Sequence, residues 1–211
     1  KKYNNTSYYV SISNSDRSRE LNYIATVYNG INPKGFHFQE NPDDYLLYFG
    51  RIHPEKGTYE AIQIARKAGR RLIISGLIQD EEYFNAKVKP HLDDKHIIFV
   101  GNSGPKRRDE LLGGAFALLH PISFEEPFGL SVAEAMMCGT PVVAFSRGSM
   151  PELLVEGKTG FMVHSINEAA AVLPAIENIR RRDCRQYAME NFSIDKMVDG
   201  YLEVYRRILS S

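Results

Sequence analysis

The sequence predicts an α/β fold built on a doubly wound parallel sheet of Rossmann-like type. Three observations carry this. Short apolar runs recur along the chain: "DYLLYFG" (44–50), "RLIISG" (71–76), "HIIFVG" (96–101), "FALLHP" (116–121) and "PVVAF" (141–145). Each is too short for a helix and is apolar at consecutive rather than alternating positions, as in strands buried on both faces of a parallel sheet. Helical patterns separate them, which is the alternation of a doubly wound fold with right-handed crossovers.

The helical segments follow in order. In 56–68, Ala61, Ile62, Ala65 and Ala68 recur at helical spacing. Segment 80–90 is short and polar, 105–115 offers Leu111 and Leu112, and 129–138 follows a Pro-Phe-Gly break. Two extra helices are expected at the C-terminus, 166–182 and 194–209, with no strand between them. The last carries Met197, Tyr201, Val204, Tyr205 and Ile208 on one stripe, with Ser193 as N-cap and Asp195 in the first turn. Its Val198 and Leu202 fall outside that stripe. Ahead of the regular alternation, "YYVSISNSDR" and "YIATVYNGI" read as two strands around a polar connection, and 31–44 reads as a loop or linker.

Bulk properties narrow the function. The chain has 211 residues, enough for one large domain or one domain plus a piece of another. With 26 basic and 26 acidic residues the formal net charge is zero, so nothing signals nucleic acid or an anionic membrane surface as partner. Any anion site must be a local concentration of positive charge. The two cysteines, Cys138 and Cys184, form no metal spacing or disulfide framework and read as buried thiols in a reducing, cytoplasmic compartment. No apolar run approaches membrane-span length and no signal peptide is expected, so the sequons at Asn4, Asn5 and Asn191 carry little weight. The chain opens on Lys1 rather than Met, which suits a piece of something longer.

Ligands of an open parallel sheet bind beyond the carboxyl ends of its strands. After the first regular strand comes "GRIHPEKG" (50–57), where Arg51 and Lys56 lie on a loop entering a helix. Two cations and a helix N-terminus make an anion site; two solvated charges beside a capping glycine are the plain alternative. "FEEPFGLSVAEAM" (124–136) repeats the design. Gly129 frees the backbone, Ser131 can cap, and the following amides face the strand ends. Ser131-x-x-Glu134 also fits a capping box, and local physics favours that reading over a ligand role for Glu134. Glu126, beside Glu125, has less structural reason to be there.

Other patterns are set aside. "GKT" (157–159) lacks the P-loop glycine five residues earlier, where Glu152 stands. No Gly-x-Gly-x-x-Gly follows a strand, no Asp-x-Asp appears, and no His or Cys cluster has metal spacing. His53, His91, His96, His120 and His164 are scattered and read as structural, His37 lies in the linker, Met136 and Met137 read as core, and "RRRD" (180–183) reads as a solvated helix face.

With "GRIHPEKG", "FEEPFGLSVAEAM" and "CGTPVVAFSRGSMPELLVEGKTGFMV" (138–163) in view, the sequence resembles the C-terminal, donor-binding half of a GT-B glycosyltransferase. More closely, it resembles the retaining family-four, or group one, enzymes. The resemblance runs from "TVYNGIN" (26–32) to the final helix. It implies that residues 26–193 form a nucleotide-sugar-binding domain. It implies that 1–25 are an edge or remnant of an N-terminal acceptor domain and that helix 194–211 crosses back to that domain. Arg51 and Lys56 would hold the donor diphosphate, Glu126 the sugar hydroxyls and Glu134 the ribose hydroxyls. Backbone amides of Phe128, Gly129 and Leu130 would meet sugar or diphosphate, with Ser131 nearby, while Gly101 and Asn102 would border the base. The resemblance implies a metal-independent enzyme using a UDP- or GDP-linked sugar and an unknown acceptor, with catalysis carried by Glu126, Arg51 and Lys56. The chain by itself would bind donor with little turnover. A sugar-nucleotide epimerase of the same fold and a non-catalytic nucleotide-sugar-binding module are the alternatives; a hydrolytic carboxylate pair is disfavoured because Glu134 lies in a helix start.

Overall fold

The computed structural model describes residues 7–210. The sequons at Asn4 and Asn5 and the first six residues of the expected 1–25 segment lie outside them. Strands β1 (Tyr9–Ser11) and β2 (Tyr23–Thr26) form a separate parallel pair. The main sheet then begins with β3 (Leu46–Phe49), followed by α1 (Thr58–Ala68), β4 (Leu72–Ser75) and α2 (Glu81–Tyr83). The expected helix over 80–90 survives only as that single turn, which continues as a π-helical segment Phe84–Val88 and a 3-10 turn Lys89–His91. Pro90 has no N–H to offer an α-helical ladder, which accounts for the tightened end.

Next come β5 (Ile97–Phe99), α3 (Pro105–Gly114), β6 (Ala117–His120), α4 (Leu130–Met137), β7 (Val142–Phe145) and the short α5 (Met150–Leu153). A sixth sheet strand, β8 (Gly160–Val163), was not expected. Its apolar core is only Phe161, Met162 and Val163, too few residues to stand out beside the turn that precedes them. The C-terminal region holds α6 (Ile166–Val172), α7 (Arg181–Phe192) and α8 (Ile194–Leu209). The single helix expected over 166–182 is therefore wrong. The chain passes into a 3-10 segment, Leu173–Asn178, with Pro174 in its first turn. A new α-helix then starts at Arg181.

All six strands of the main sheet run parallel, in the order β5-β4-β3-β6-β7-β8. Counted from β3 this is 3-2-1-4-5-6, the Rossmann order. The reversal falls between β3 and β6, which pair through Leu46 with Ala117, Leu47 with Leu118 and Tyr48 with Leu119. Chain direction away from the sheet thus diverges at the carboxyl ends of these two strands and leaves a crevice there. Every residue of β4 and β6 is buried, as the unbroken apolar runs require. Helix α1 packs with α6, and α4 packs with α7. Met136, Met137, Cys138 and Cys184 are all in the core, where burial pushes the Cys184 thiol up to about 12.

Two expectations about surface are corrected. The "RRRD" run is not a uniformly solvated face, because Arg181 is buried. Its guanidinium donates to the carbonyls of Gln39 (2.7 Å), Ala115 (2.9 Å) and Gly113 (2.6 Å) and to Thr140 Oγ1 (2.7 Å). It collects the strand-entry loops beneath the sheet. On α8, Ser193 caps the helix as expected, by accepting from the Lys196 amide, but Tyr205 points outward at 59% exposure. Ile194, Val198, Leu202, Tyr205 and Leu209 make the exposed apolar side of this helix, and Val204 is its buried anchor. Among the described residues no helix is long and apolar enough to cross a membrane.

Candidate donor site at the sheet switch point

A cleft of about 420 Å³ opens where β3 and β6 diverge. Its walls come from the loop after β3 (Arg51, Lys56), the end of β6 (His120), the 124–129 loop (Glu126, Phe128, Gly129) and the start of α4 (Leu130, Ser131, Glu134). Arg108 of α3 closes one side, and Ile12 and Asn29 from the N-terminal segment reach another. Eight of the residues proposed from sequence therefore converge. Gly101 and Asn102 do not line the cleft. They sit at the end of β5, where the Gly101 carbonyl accepts from the Gly76 amide and Ser75 Oγ, each at 3.0 Å, and a side chain at Gly101 would meet open space.

Each wall is held by local chemistry. The Tyr48 hydroxyl donates to the Arg51 carbonyl at 2.7 Å and fixes the loop after β3, while the Arg51 side chain donates to Gln79 Oε1 at 2.6 Å. Lys56 ends a 3-10 turn and leads through Gly57 into α1. Gly129 starts α4 with φ 89° and ψ 61°, in the left-handed region that a side chain strains. Helical bonding begins with the amides of Val132 and Ala133, both donating to the Gly129 carbonyl. The amides of Leu130 and Ser131 precede that ladder and are geometrically free of it, so the positive end of the helix opens into the cleft.

This geometry overturns the capping-box reading. Gly129, not Ser131, occupies the N-cap, and no side chain caps the helix. Glu134 turns to Arg108 instead, with Oε1 accepting from Nη1 at 3.0 Å. Burial pushes the Glu134 carboxyl above its usual range, and Arg108 opposes that shift. Phe128 buries its ring against Tyr28 and Phe192, so only its backbone is available to a ligand. Glu125 is a brace: its Oε2 accepts from the Gly148 amide at 2.6 Å. Ser149 straps the same loops together, its amide donating to the Glu126 carbonyl (2.9 Å) and its hydroxyl to the Phe128 carbonyl (2.7 Å).

The centre of the cleft is a charged cluster. Lys56 Nζ lies 2.7 Å from Glu126 Oε2 and 4.4 Å above the Phe124 ring. Burial acts to raise the Glu126 carboxyl, but His120 and Lys56 outweigh it and hold the group at about 2. His120 Nε2 is 3.6 Å from the same oxygen. Sequence reasoning had set His120 aside as structural. Its signal was positional, as the last residue of a strand on the switch-point side. Arg108 had no comparable signal, because helix pattern alone does not say which polar side faces a neighbour.

Residues 34–191 match the family described as Glycosyl transferases group 1. Glycogen synthase of Mycobacterium tuberculosis is 30% identical over 200 residues, covering 86% of this chain and 48% of that protein. D-inositol 3-phosphate glycosyltransferase of Mycolicibacterium smegmatis is 29% identical over 226 residues, covering 95% of this chain and 50% of that protein. The chain thus spans about half the length of these curated relatives. Among solved structures, AviGT4, a glycosyltransferase involved in Avilamycin A biosynthesis, superposes with a TM-score of 0.83 at 27% identity, covering 96% of this chain and 63% of that one. Anabaena HepE, solved in complex with UDP-glucose, shares the fold with a TM-score of 0.80 at 20% identity, covering 99% of this chain and 65% of that one. The match over most of its length, on the sheet and crevice described above, means that this chain belongs to the group 1 glycosyl transferases.

Proposed function

We propose that the switch-point cleft binds a nucleotide-sugar donor and that the chain is the donor-binding half of a glycosyltransferase. The carrying observation is convergence. Arg51, Lys56 and Arg108 meet two carboxylates, Glu126 and Glu134, and the open end of α4 in one crevice. Three cations against two anions leave a surplus positive charge, reinforced by the helix dipole, where a diphosphate would lie. HepE, whose fold this chain shares, was solved with UDP-glucose, which supports the donor class.

Breaking a sugar–phosphate bond leaves negative charge on the departing diphosphate. Arg51, Lys56 and the amides of Leu130 and Ser131 stabilise that charge as it develops, so they act on the transition state rather than on the bound donor alone. Glu126 orients the sugar through its hydroxyls, and Glu134 receives the ribose hydroxyls. In this reading residues 26–193 hold the donor, and the exposed apolar side of α8 meets the acceptor domain. The reaction retains anomeric configuration, and protein cations rather than a metal ion neutralise the diphosphate.

Calorimetric titration with UDP- and GDP-sugars tests this. Lys56→Ala and Glu126→Ala should each weaken binding, with about 1.5–3 kcal/mol expected for loss of a charged hydrogen bond. EDTA should leave the affinity unchanged. Absence of binding by either nucleotide class, or variants that bind like the wild type, defeats the proposal.

A further inference from the structure

The donor reading asks Lys56 to hold phosphate, yet in the unliganded cleft Lys56 is committed to Glu126 at 2.7 Å. A single ammonium cannot keep that short contact and also turn fully to a diphosphate. If Lys56 turns away, Glu126 is left as a largely buried carboxylate, with 12% of its side chain exposed, and an unpaired buried charge is costly. Something must take over the carboxylate.

His120 is the group in position. Its side chain is more than nine-tenths buried, and Nε2 has no hydrogen-bond partner among the described residues. That nitrogen lies 3.6 Å from Glu126 Oε2, the same oxygen that Lys56 occupies, just outside hydrogen-bonding range. A buried polar nitrogen without a partner is rare and calls for an explanation. Here, a small movement of Glu126 on losing Lys56 would close the gap.

Building on the donor-site reading, we propose that His120 is a positioning residue: it receives Glu126 when Lys56 passes to the donor diphosphate. Nε2–H of His120 then donates to Glu126 Oε2, which keeps the carboxylate charged and aimed at the sugar hydroxyls. Exchange of partners, rather than addition of a new charge, is what readies the site.

The exchange has an electrostatic consequence. The charged groups that share the cleft with His120 are Arg51 and Lys56 after β3, Arg108 of α3, Glu126, and Glu134 of α4; Tyr48 of β3 is neutral and bonded to the Arg51 carbonyl. Arrival of a diphosphate adds negative charge to this field and withdraws Lys56 from Glu126, so the carboxylate turns to the Nε2–H of His120.

The test is calorimetry of UDP- or GDP-sugar binding by the wild type, His120→Gln and His120→Ala. Far-UV circular dichroism and thermal melts check folding. His120→Gln places an amide N–H near the same spot, so it should bind within about threefold of the wild type. His120→Ala should bind about tenfold more weakly, the loss expected for a hydrogen bond to a charged group. His120→Gln that binds as weakly as His120→Ala overturns the proposal, as does unaltered affinity in His120→Ala. If His120→Ala fails to fold, His120→Leu, which keeps the volume without an N–H, takes its place and should bind as weakly. A wild type that binds no nucleotide sugar defeats the donor-site reading itself. A wild type that binds, with Lys56→Ala weakened but His120 variants unaffected, defeats only the inference about His120.

Discussion

Replacing Lys56 with methionine isolates the electrostatic centre of the cleft, because methionine keeps most of the side-chain volume and removes the charge. The Lys56 and Glu126 side chains are 17% and 12% exposed, so each is largely withdrawn from water. Removing one partner of a fully buried pair costs about 3–5 kcal/mol. This pair sits at the edge of an open crevice with His120 nearby, so solvent and the imidazole reduce the cost to about 1.5–3 kcal/mol. The pH dependence supplies the sharper check. Glu126 is held at about 2 against an ordinary 4.5, so in the wild type it stabilises the fold fully above about 4.5. That contribution disappears as pH falls towards 2. Lys56→Met loses one of the two groups that hold Glu126 down, so it has less of this contribution to lose. Its deficit relative to the wild type should be largest near pH 7 and shrink towards about pH 3. The chain has no tryptophan, so urea unfolding followed by far-UV circular dichroism is the suitable assay. A deficit that is the same at both pH values would refute the charge-pair argument and point to lost packing on Phe124 instead.

The other predictions concern neighbouring walls and supports. Glu134→Gln should change stability by no more than about 1 kcal/mol, since no capping bond is lost and burial already disfavours the charged form, while donor affinity falls roughly tenfold in the same calorimetric titration. A drop in stability of the size typical for a lost N-cap would restore the capping role. Arg181→Met should destabilise by about 3–5 kcal/mol in urea unfolding, because it strands the carbonyls of Gln39, Gly113 and Ala115 below the sheet. A change under about 1 kcal/mol would mean that water replaces the guanidinium. Gly57→Ala should both destabilise the chain and weaken donor binding, since Gly57 has φ 75° and an added Cβ would lie 2.0 Å from the Pro121 carbonyl oxygen, displacing the Lys56 loop. Wild-type affinity and melting temperature for this variant would show that the loop tolerates the shift.

Much of this molecule was legible in the chain itself. Runs such as "RLIISG" and "FALLHP" are apolar at every position because their strands are covered on both sides, and that local property announces a parallel sheet without any knowledge of its strand order. Glycine and basic residues after β3 marked the Arg51–Lys56 loop that reaches the cleft, whereas the glycine after β5 marked a loop that does not line it. The misreadings were local too. Three apolar residues did not distinguish β8 from a loop, and the helix expected over 166–182 ignored the interruption around Pro174. Tertiary structure decided what came from distant parts of the chain. Lys56 and Glu126, 70 residues apart, meet because β6 pairs with β3 and brings both loops to one crevice. Glu134 abandons a plausible cap because Gly129 begins the helix and Arg108 offers charge from α3. Arg181 is buried because several strand-entry carbonyls converge on it. His120 is one of six scattered histidines in sequence, and its place beside Glu126 follows from strand order. Period, capping and turn signals act over a few residues, whereas partners across a cleft are chosen by packing between elements far apart in the chain, and that packing is what turned separate motifs into one site.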